Sequence, residues 1–294
     1  MNWLRFITSP PATPKGVEKR SEPPTTGVHY DTSWSRRPAA RLVRTAGVWG
    51  FMKPAIRIYG SPRVIGRDRV EQLDGPVIFA ANHHSHADTT LMLATLPGHL
   101  REKLAVAAGA DYFFPNKITG ALSALFIGAI PIERQKISKL SVSNTIGVIE
   151  DGYSLLIYPE GGRSPDGWAQ EHRPGAAFVA KQTGVPVVPI YIDGTGTILP
   201  KGKNWPTRAR CAVVFGDPLT LGEGENPRDF AKRVEQRIHE LADEFGTGWW
   251  QARRNAHAGA TPRIDGPDAG AWRRRWALGP KKSAKRPARR WPKL

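Results

Sequence analysis

The sequence predicts an α/β fold: a mixed, largely parallel sheet flanked by helices, preceded by an amphipathic helical element near the N-terminus. Three observations predict it. Short apolar runs alternate with helix-length stretches from Val64 to Asp217, the pattern of strands joined by crossover helices. The 294 residues are 40% hydrophobic and 23% charged, enough to bury a core and unlike disordered, collagenous or disulfide-scaffold chains. The positive charge sits at the ends: residues 1–50 hold 8 Lys/Arg against 3 Asp/Glu, residues 51–250 hold 22 against 21, and residues 251–294 hold 13 against 2. A near-neutral body with basic arms points away from a fold that reads nucleic acid through its core.

Each element follows from local pattern. Residues 8–38 are rich in Pro, Ser, Thr and charge, which predicts a disordered basic arm over residues 1–38. From Ala39 to Tyr59, Leu42, Ala46, Trp49 and Met52 recur at helical spacing beside Arg37, Arg41 and Arg44. A tryptophan and Phe51 next to arginines suit a helix at a lipid interface, so residues 39–60 are read as a membrane-associated segment; the alternative is a core-packing helix with solvated arginines. The strands expected next are Pro76 to Ala81, Leu104 to Ala108, Gly128 to Ile132, Ser154 to Tyr158, Val185 to Ile192 and Ala209 to Phe215. Pro131 marks the third as an edge or a strand end. Helices are expected over Asp88 to Leu96, Ser138 to Glu150 and Pro174 to Thr183, and a charged helix from Pro227 to Phe245 closes a domain spanning residues 61–247.

Residues 248–294 read as a disordered tail, with Arg273, Arg274, Arg275, Lys281, Lys282, Lys285, Arg286, Arg289 and Arg290 interleaved with Trp272, Trp276 and Trp291. Such a tail attracts anionic lipid at about 1 kcal/mol per basic residue, touches nucleic acid without sequence preference, or serves only solubility; the indole rings favour lipid. The single cysteine, Cys211, excludes an internal disulfide and a cysteine-built zinc site, and fits a reducing compartment. No apolar run approaches the roughly 18 residues of a spanning helix, and Met1 to Pro10 lacks the apolar centre of a signal peptide. The expected location is the cytoplasmic face of a membrane, as a peripheral protein.

The chemistry concentrates directly after the first expected strand, in Asn82-His83-His84-Ser85-His86-Ala87-Asp88. Ligand and catalytic groups favour such strand-end crevices in α/β sheets, although Asp88 is also a good residue to cap the helix after it. One reading takes His84, His86 and Asp88 as the metal ligands of a hydrolase. Further ligands would have to come from His99, His172, His239 or His257, and Glu171-His172-Arg173 does not look like a ligand group. The other pairs His83 with Asp88. A neutral imidazole takes a proton from an alcohol while a carboxylate on its other nitrogen holds the tautomer. No serine nucleophile is needed if the substrate alcohol attacks, which suits acyl transfer from a thioester to a hydroxyl.

Four blocks then resemble the glycerophospholipid acyltransferases of the 1-acyl-glycerol-3-phosphate type. The family's Asn-His-x-Ser-x-x-Asp block is matched by Asn82, His83, Ser85 and Asp88. Its Gly-to-Arg apolar block resembles Gly128-Ala129-Ile130-Pro131-Ile132-Glu133-Arg134. Its Phe-Pro-Glu-Gly-Thr-Arg-Ser block is similar to Tyr158-Pro159-Glu160-Gly161-Gly162-Arg163-Ser164, with Gly162 in place of Thr. Its Val-Pro-x-x-Pro segment resembles Val185-Pro186-Val187-Val188-Pro189. The blocks keep the family's order across roughly Val64 to Phe215.

The resemblance implies the glycerolipid acyltransferase fold, with a helical element able to sit in the membrane. It implies a catalytic pair, His83 and Asp88, and substrate-binding residues Arg134, Glu160, Gly161 and Arg163. Arginine forks suit a phosphate monoester, glycine lets backbone N–H groups approach an anion or a developing oxyanion, and Glu160 orients the acceptor or holds Arg163. Lys181 reads as a solvated helix lysine. The implied reaction moves a fatty acyl group from acyl-CoA or acyl carrier protein to a hydroxyl of 1-acyl-glycerol-3-phosphate, giving phosphatidate; glycerol-3-phosphate, a lyso-ornithine lipid or another lysolipid are alternative acceptors. Neither a metal nor a tightly bound cofactor is implied. The implied partners are a lysophospholipid, an acyl thioester and an anionic membrane surface, without specific nucleic acid.

Overall fold

Successive residues of each central strand pack into opposite cores, and that alternation explains why the strands read as continuous apolar runs. In the computed structural model, which describes residues 26–266 apart from 135–138, 165, 201 and 204, Phe79, Leu156, Val188 and Ile190 join Leu91, Met92, Met52 and Ile56 on one face. Ile78, Leu155 and Val187 join Val148, Val179, Phe230 and Ile238 on the other. The seven strands are β1 (Arg63–Ile65), β2 (Ile78–Ala81), β3 (Leu104–Gly109), β4 (Ala129–Ile132), β5 (Ser154–Ile157), β6 (Val187–Asp193) and β7 (Ala212–Phe215). Their order is β1-β7-β6-β2-β5-β3-β4. Strands β2 to β6 run parallel, and β7 returns antiparallel to β6.

This is the expected mixed, largely parallel sheet, and Pro131 lies on an edge strand, where a missing N–H costs least. Pro189 sits instead in central β6. Its carbonyl accepts from Gly216 N, one residue beyond the end of β7, where the ladder is interrupted before Val187 and Leu219 pair again. Strand β1 was not anticipated: three residues long and largely exposed, it exists through pairing with β7. Nor was the helix Lys117–Ile127, which Asn116 caps by accepting Thr119 N and Gly128 ends with φ of 68°. After β2 the chain runs outward to β3 and β4, returns to place β5 beside β2, then crosses to β6 on the other flank. The crevice rule for open sheets locates a site where this winding reverses, at the carboxyl ends of β2, β5 and β6.

The helix expected over 39–60 is continuous from Pro38 to Gly60, with a π turn at Val48–Met52. Pro54 supplies the reason: it lacks an N–H and its ring crowds the carbonyl one turn back, so the helix widens there. Arg44 is not a solvated or lipid-facing arginine. It is buried, with Nε donating to Leu125 O at 2.8 Å and Nη2 to Ala124 O at 2.8 Å and Ser35 O at 2.9 Å. The carbonyls of Ala124 and Leu125 close the helix Lys117–Ile127 and have no partner within it, so one guanidinium fastens the N-terminal helix to the domain.

Two boundaries differ from expectation. Residues 26–38, assigned to the disordered arm, form two 3-10 turns, Gly27–His29 and Ser33–Arg36. Tyr30 packs against Phe114 at 5.4 Å between ring centroids, and Arg36 O accepts from Tyr153 Oη at 2.9 Å. The domain does not end at 247: Gly248, with φ of 98°, turns the chain into a helix, Trp249–His257. Asn255 then donates to Asp243 Oδ2 at 2.8 Å, and Ile264 O accepts from Ala169 N at 2.9 Å. Buried Ala252 and partly buried Ile264 supply apolar contacts that a composition-based reading of a polar segment does not register. Residues 1–25 and 267–294, with Trp272, Trp276 and Trp291, lie outside the described residues.

Arg44→Met is expected to lower the unfolding free energy by about 2–4 kcal/mol, since three carbonyls lose a charged donor at once. Arg44→Lys is expected to recover less than half, because an ammonium lacks the fork that reaches all three. Urea unfolding followed by circular dichroism measures both.

Candidate active site

The carboxyl ends of β2, β5 and β6 converge on the crevice, and the turn after β2 occupies its centre. Asn82, fully buried, continues the sheet with its side chain: Nδ2 donates to Ile192 O at 2.8 Å, and Ile192 N donates to Oδ1 at 2.7 Å. The next residue leaves the strand, and the chain turns into the helix Ala87–Thr95. Asp88 does not cap that helix. It is the second helical residue, and its carboxylate turns back over the loop. Oδ2 accepts from His84 N at 2.8 Å and Ser85 N at 2.9 Å, and meets His83 Nδ1 at 2.8 Å.

The electrostatics follow from burial. Desolvation alone pushes the Asp88 carboxyl up, but donation from His83 and Ser85 and the positive charge available to His83 outweigh it, and the group stays below the ordinary carboxylate range. An anion in so dry a place selects the His83 tautomer with its proton on Nδ1, leaving Nε2 as the basic nitrogen. The ring is stacked on Tyr158, with centroids 3.9 Å apart and planes at 16°, and Tyr158 Oη pairs with Thr89 Oγ1 at 3.0 Å.

The segment after β5 holds the main chain of the same histidine. His83 N donates to Glu160 Oε1 at 2.8 Å, and Ser164 N donates to His83 O at 2.7 Å. Glu160 Oε2 accepts from Gln170 N at 2.9 Å. Glu160 is therefore not placed to orient an acceptor or hold Arg163: both its oxygens carry backbone donors inside the protein, at 3% exposure. Gly161 differs from expectation too. Its N–H is donated to Tyr158 O at 3.0 Å, so that amide is not available to an oxyanion. A Cβ on it would lie 3.0 Å from Arg173 Nε, and its φ of 74° disfavours other residues.

Ser85 serves the loop: Oγ donates to Leu199 O at 2.8 Å and accepts from Ala87 N at 3.1 Å. His84, His86 and Asp88 are not assembled as a ligand set. His84 is depressed by burial; His86 is pushed down to about 4, first by burial and then by the nearby Arg163, and pairs with Tyr112 Oη at 3.2 Å. Among the described residues no group of three His, Cys, Asp or Glu is placed to hold a metal ion. His172 and His239 lie in the interior, while His99, His257 and Lys181 are outside the crevice or exposed.

Three arginines lie partly or fully exposed beside these segments. Arg163 lies with its guanidinium 5.8 Å from the Tyr112 ring centroid. The Arg134 fork is filled by Asp111, which accepts from Nε at 3.1 Å and also from Nη2. Arg173 donates from Nη1 to Arg134 O. Sequence reasoning missed Asp111, Tyr112 and Arg173; the first two directly follow strand β3, and that position was their only signal. It also read Tyr158 as a strand end.

Residues 61–193 match the family model described as Acyltransferase. The chain is 28% identical over 167 residues to the chloroplastic 1-acyl-sn-glycerol-3-phosphate acyltransferase BAT2 of Brassica napus, across 56% of this chain and 44% of that protein. It is 27% identical over 239 residues to the human 1-acyl-sn-glycerol-3-phosphate acyltransferase beta, across 80% of each. The chain thus spans less than half the length of the plant relative. The crystal structure of the 1-acyl-sn-glycerophosphate acyltransferase PlsC from Thermotoga maritima superposes with a TM-score of 0.57 at 22% identity, over 75% of this chain and 85% of that one; this likeness shows the shared fold.

Burial pushes the Glu160 carboxyl up to about 8, against its two backbone donors, from an ordinary 4.5. The folded chain then binds this proton more tightly than the unfolded one. The group's contribution to stability is complete below about pH 4.5 and is lost as pH rises through about 8. Glu160→Gln removes the titration, so the wild type's advantage over it in urea midpoint is expected to shrink between about pH 5 and about pH 8.5. An advantage that grows over that range contradicts the assignment.

Proposed function

We propose, from the premise that residues 61–193 form a domain of the acyltransferase family, that this chain transfers an acyl group from a thioester to a hydroxyl of a glycerophosphate lipid. The favoured acceptor is 1-acyl-glycerol-3-phosphate and the product phosphatidate. The observation that carries the reading is the 2.8 Å contact between His83 Nδ1 and a fully buried Asp88 carboxylate. It leaves Nε2 to take the proton of the acceptor hydroxyl as that oxygen attacks the thioester carbonyl. The thiolate is a good leaving group, so a general base is the main requirement. Acyl-CoA or acyl carrier protein serves as co-substrate.

Arg163 and Arg134 are proposed to bind the acceptor phosphate. Arg134 and Asp111 are partly exposed, and an ion pair of that kind is worth no more than about 1 kcal/mol. A phosphate dianion competes with Asp111 for the Arg134 fork with a favourable balance of charge. The names of the plant and human relatives support this acceptor class.

A peripheral position on the cytoplasmic face of an anionic membrane is proposed as well. Among the described residues no helix is long and apolar enough to cross a bilayer. Yet Leu42, Trp49 and Phe51 on the N-terminal helix, and Ile118, Leu122 and Phe126 on its neighbour, stand exposed. The two helices touch where the Cβ position of Gly47 lies 3.6 Å from Phe126. Lys53 covers the Trp49 ring at 3.4 Å. Apolar side chains beside cations favour an anionic interface.

Thiol release from a long-chain acyl-CoA in mixed micelles, with and without 1-acyl-glycerol-3-phosphate, tests the reaction. Acceptor-dependent release is expected, with phosphatidate as product, falling about 100-fold or more in His83→Ala. A His83→Ala variant with wild-type activity refutes the mechanism. Binding to vesicles of anionic lipid is expected to weaken at least about tenfold in Trp49→Ser/Phe51→Ser, since each lost ring forfeits about 1.5–3 kcal/mol of burial. Flotation of vesicles measures it.

A further inference from the structure

The hydrogen-bond account of Asp88 is incomplete on one side. Oδ2 takes three donors, whereas Oδ1 is buried and has no partner of ordinary geometry. An open lone pair on a buried carboxylate is costly. The neighbouring segment carries the complementary fault. Thr195, the residue that begins the turn after β6, has zero exposure, and its Oγ1 is likewise buried without a partner of ordinary geometry.

Several contacts bring the two segments together. Asn82 ties the end of β2 to Ile192 in β6. Ser85 Oγ donates to Leu199 O, and Leu199 N donates to Thr195 O at 3.1 Å. The Cβ position of Gly196 lies 3.4 Å from His84 Cβ. Between β6 and Thr195 stands Gly194, with φ of 76°; a Cβ there would fall 2.0 Å from Arg210 O. Only glycine makes this turn, and the turn delivers Thr195 to the loop that carries Asp88. The hydroxyl is near enough to draw the Asp88 carboxyl down.

We propose that Thr195 is the second clamp of the pair, a positioning residue whose hydroxyl donates to Asp88 Oδ1 and so fixes the carboxylate plane that His83 Nδ1 meets. The contact tightens as His83 takes up a proton and the demand on the carboxylate rises. The proposal rests on the acyl-transfer reading for its catalytic consequence but not for its geometric one. Nothing in the site gives Thr195 a contact with substrate: it acts through Asp88.

Two readouts on the full chain separate these consequences. Thr195→Val keeps the shape and removes the donor; Thr195→Ser keeps the donor. In the acyl-CoA assay, Thr195→Val is expected to lower kcat about tenfold, the scale of one hydrogen bond to a charged acceptor, with the KM for acyl-CoA unchanged and most of kcat recovered in Thr195→Ser. In proton NMR of chain labelled with 15N-histidine, the His83 Nδ1–H resonance, identified by its loss in His83→Gln, is expected to shift or broaden in Thr195→Val and to return in Thr195→Ser. A resonance that Thr195→Val leaves in place overturns the proposal, as does a Thr195→Ser variant no better than Thr195→Val. If the wild type transfers no acyl group, the functional reading fails, and the NMR comparison alone decides the role of Thr195. Should Thr195→Val not fold, Thr195→Ala takes its place in the NMR comparison.

Discussion

A carboxylate with no access to water organises this molecule. Asp88 is fully buried, and an anion in such a place persists only if donors surround it. The backbone turn after β2 meets that demand by folding His84 N and Ser85 N around Oδ2, and the imidazole of His83 completes the set. The turn therefore has little freedom. Its residues hold a charge in the interior, and the position of the His83 ring is a consequence of that electrostatic requirement.

The rest of the crevice supports the same turn from outside. Tyr158 covers the imidazole face, Glu160 and Ser164 hold the main-chain N–H and carbonyl of His83, and Asn82 fastens the strand end to β6. Motif residues that invite a reading as substrate ligands thus divide into two groups. Glu160 and the Gly161 amide are committed to internal hydrogen bonds, so they build the site's walls. Arg134 and Arg163 are partly exposed and Arg173 is exposed, so these side chains are within reach of solvent. The sheet topology makes this division possible, because β5 is inserted directly beside β2.

Much of the fold was legible in sequence for a simple reason. Strands buried on both faces are apolar without interruption, so β2, β3, β5 and β6 announce themselves, and Asn226 before Pro227 marks the start of a 21-residue helix. The misses have equally plain causes. Strand β1 is short and exposed, and exists through pairing with β7. The helix Lys117–Ile127 carries both an Asn116 cap and a Gly128 terminator, but its mostly apolar run, interrupted by Thr119, Gly120 and Ser123, conceals the helical period. Residues 26–38 and 248–266 look polar by composition, yet their few apolar contacts, Tyr30 on Phe114 and Ile264 on the domain, suffice to order them.

By itself the sequence determined which residues form the layers of the sheet and that His83 and Asp88, five positions apart across a strand-to-helix turn, occupy one loop. Both are short-range properties, set by hydrophobic period and turn chemistry. The tertiary structure alone decided that Glu160 faces inward, that Asp111 fills the Arg134 fork, that Arg44 caps a helix some 80 residues away, and that the turn carrying Thr195 packs on the loop carrying Asp88. Those partners are far apart in the chain and their contacts are directional. A charged or hydroxyl side chain has the same appearance in sequence whether its hydrogen bonds go to water, to substrate or to a buried backbone. Only the packing of β2 against β5 and β6 selects among the three.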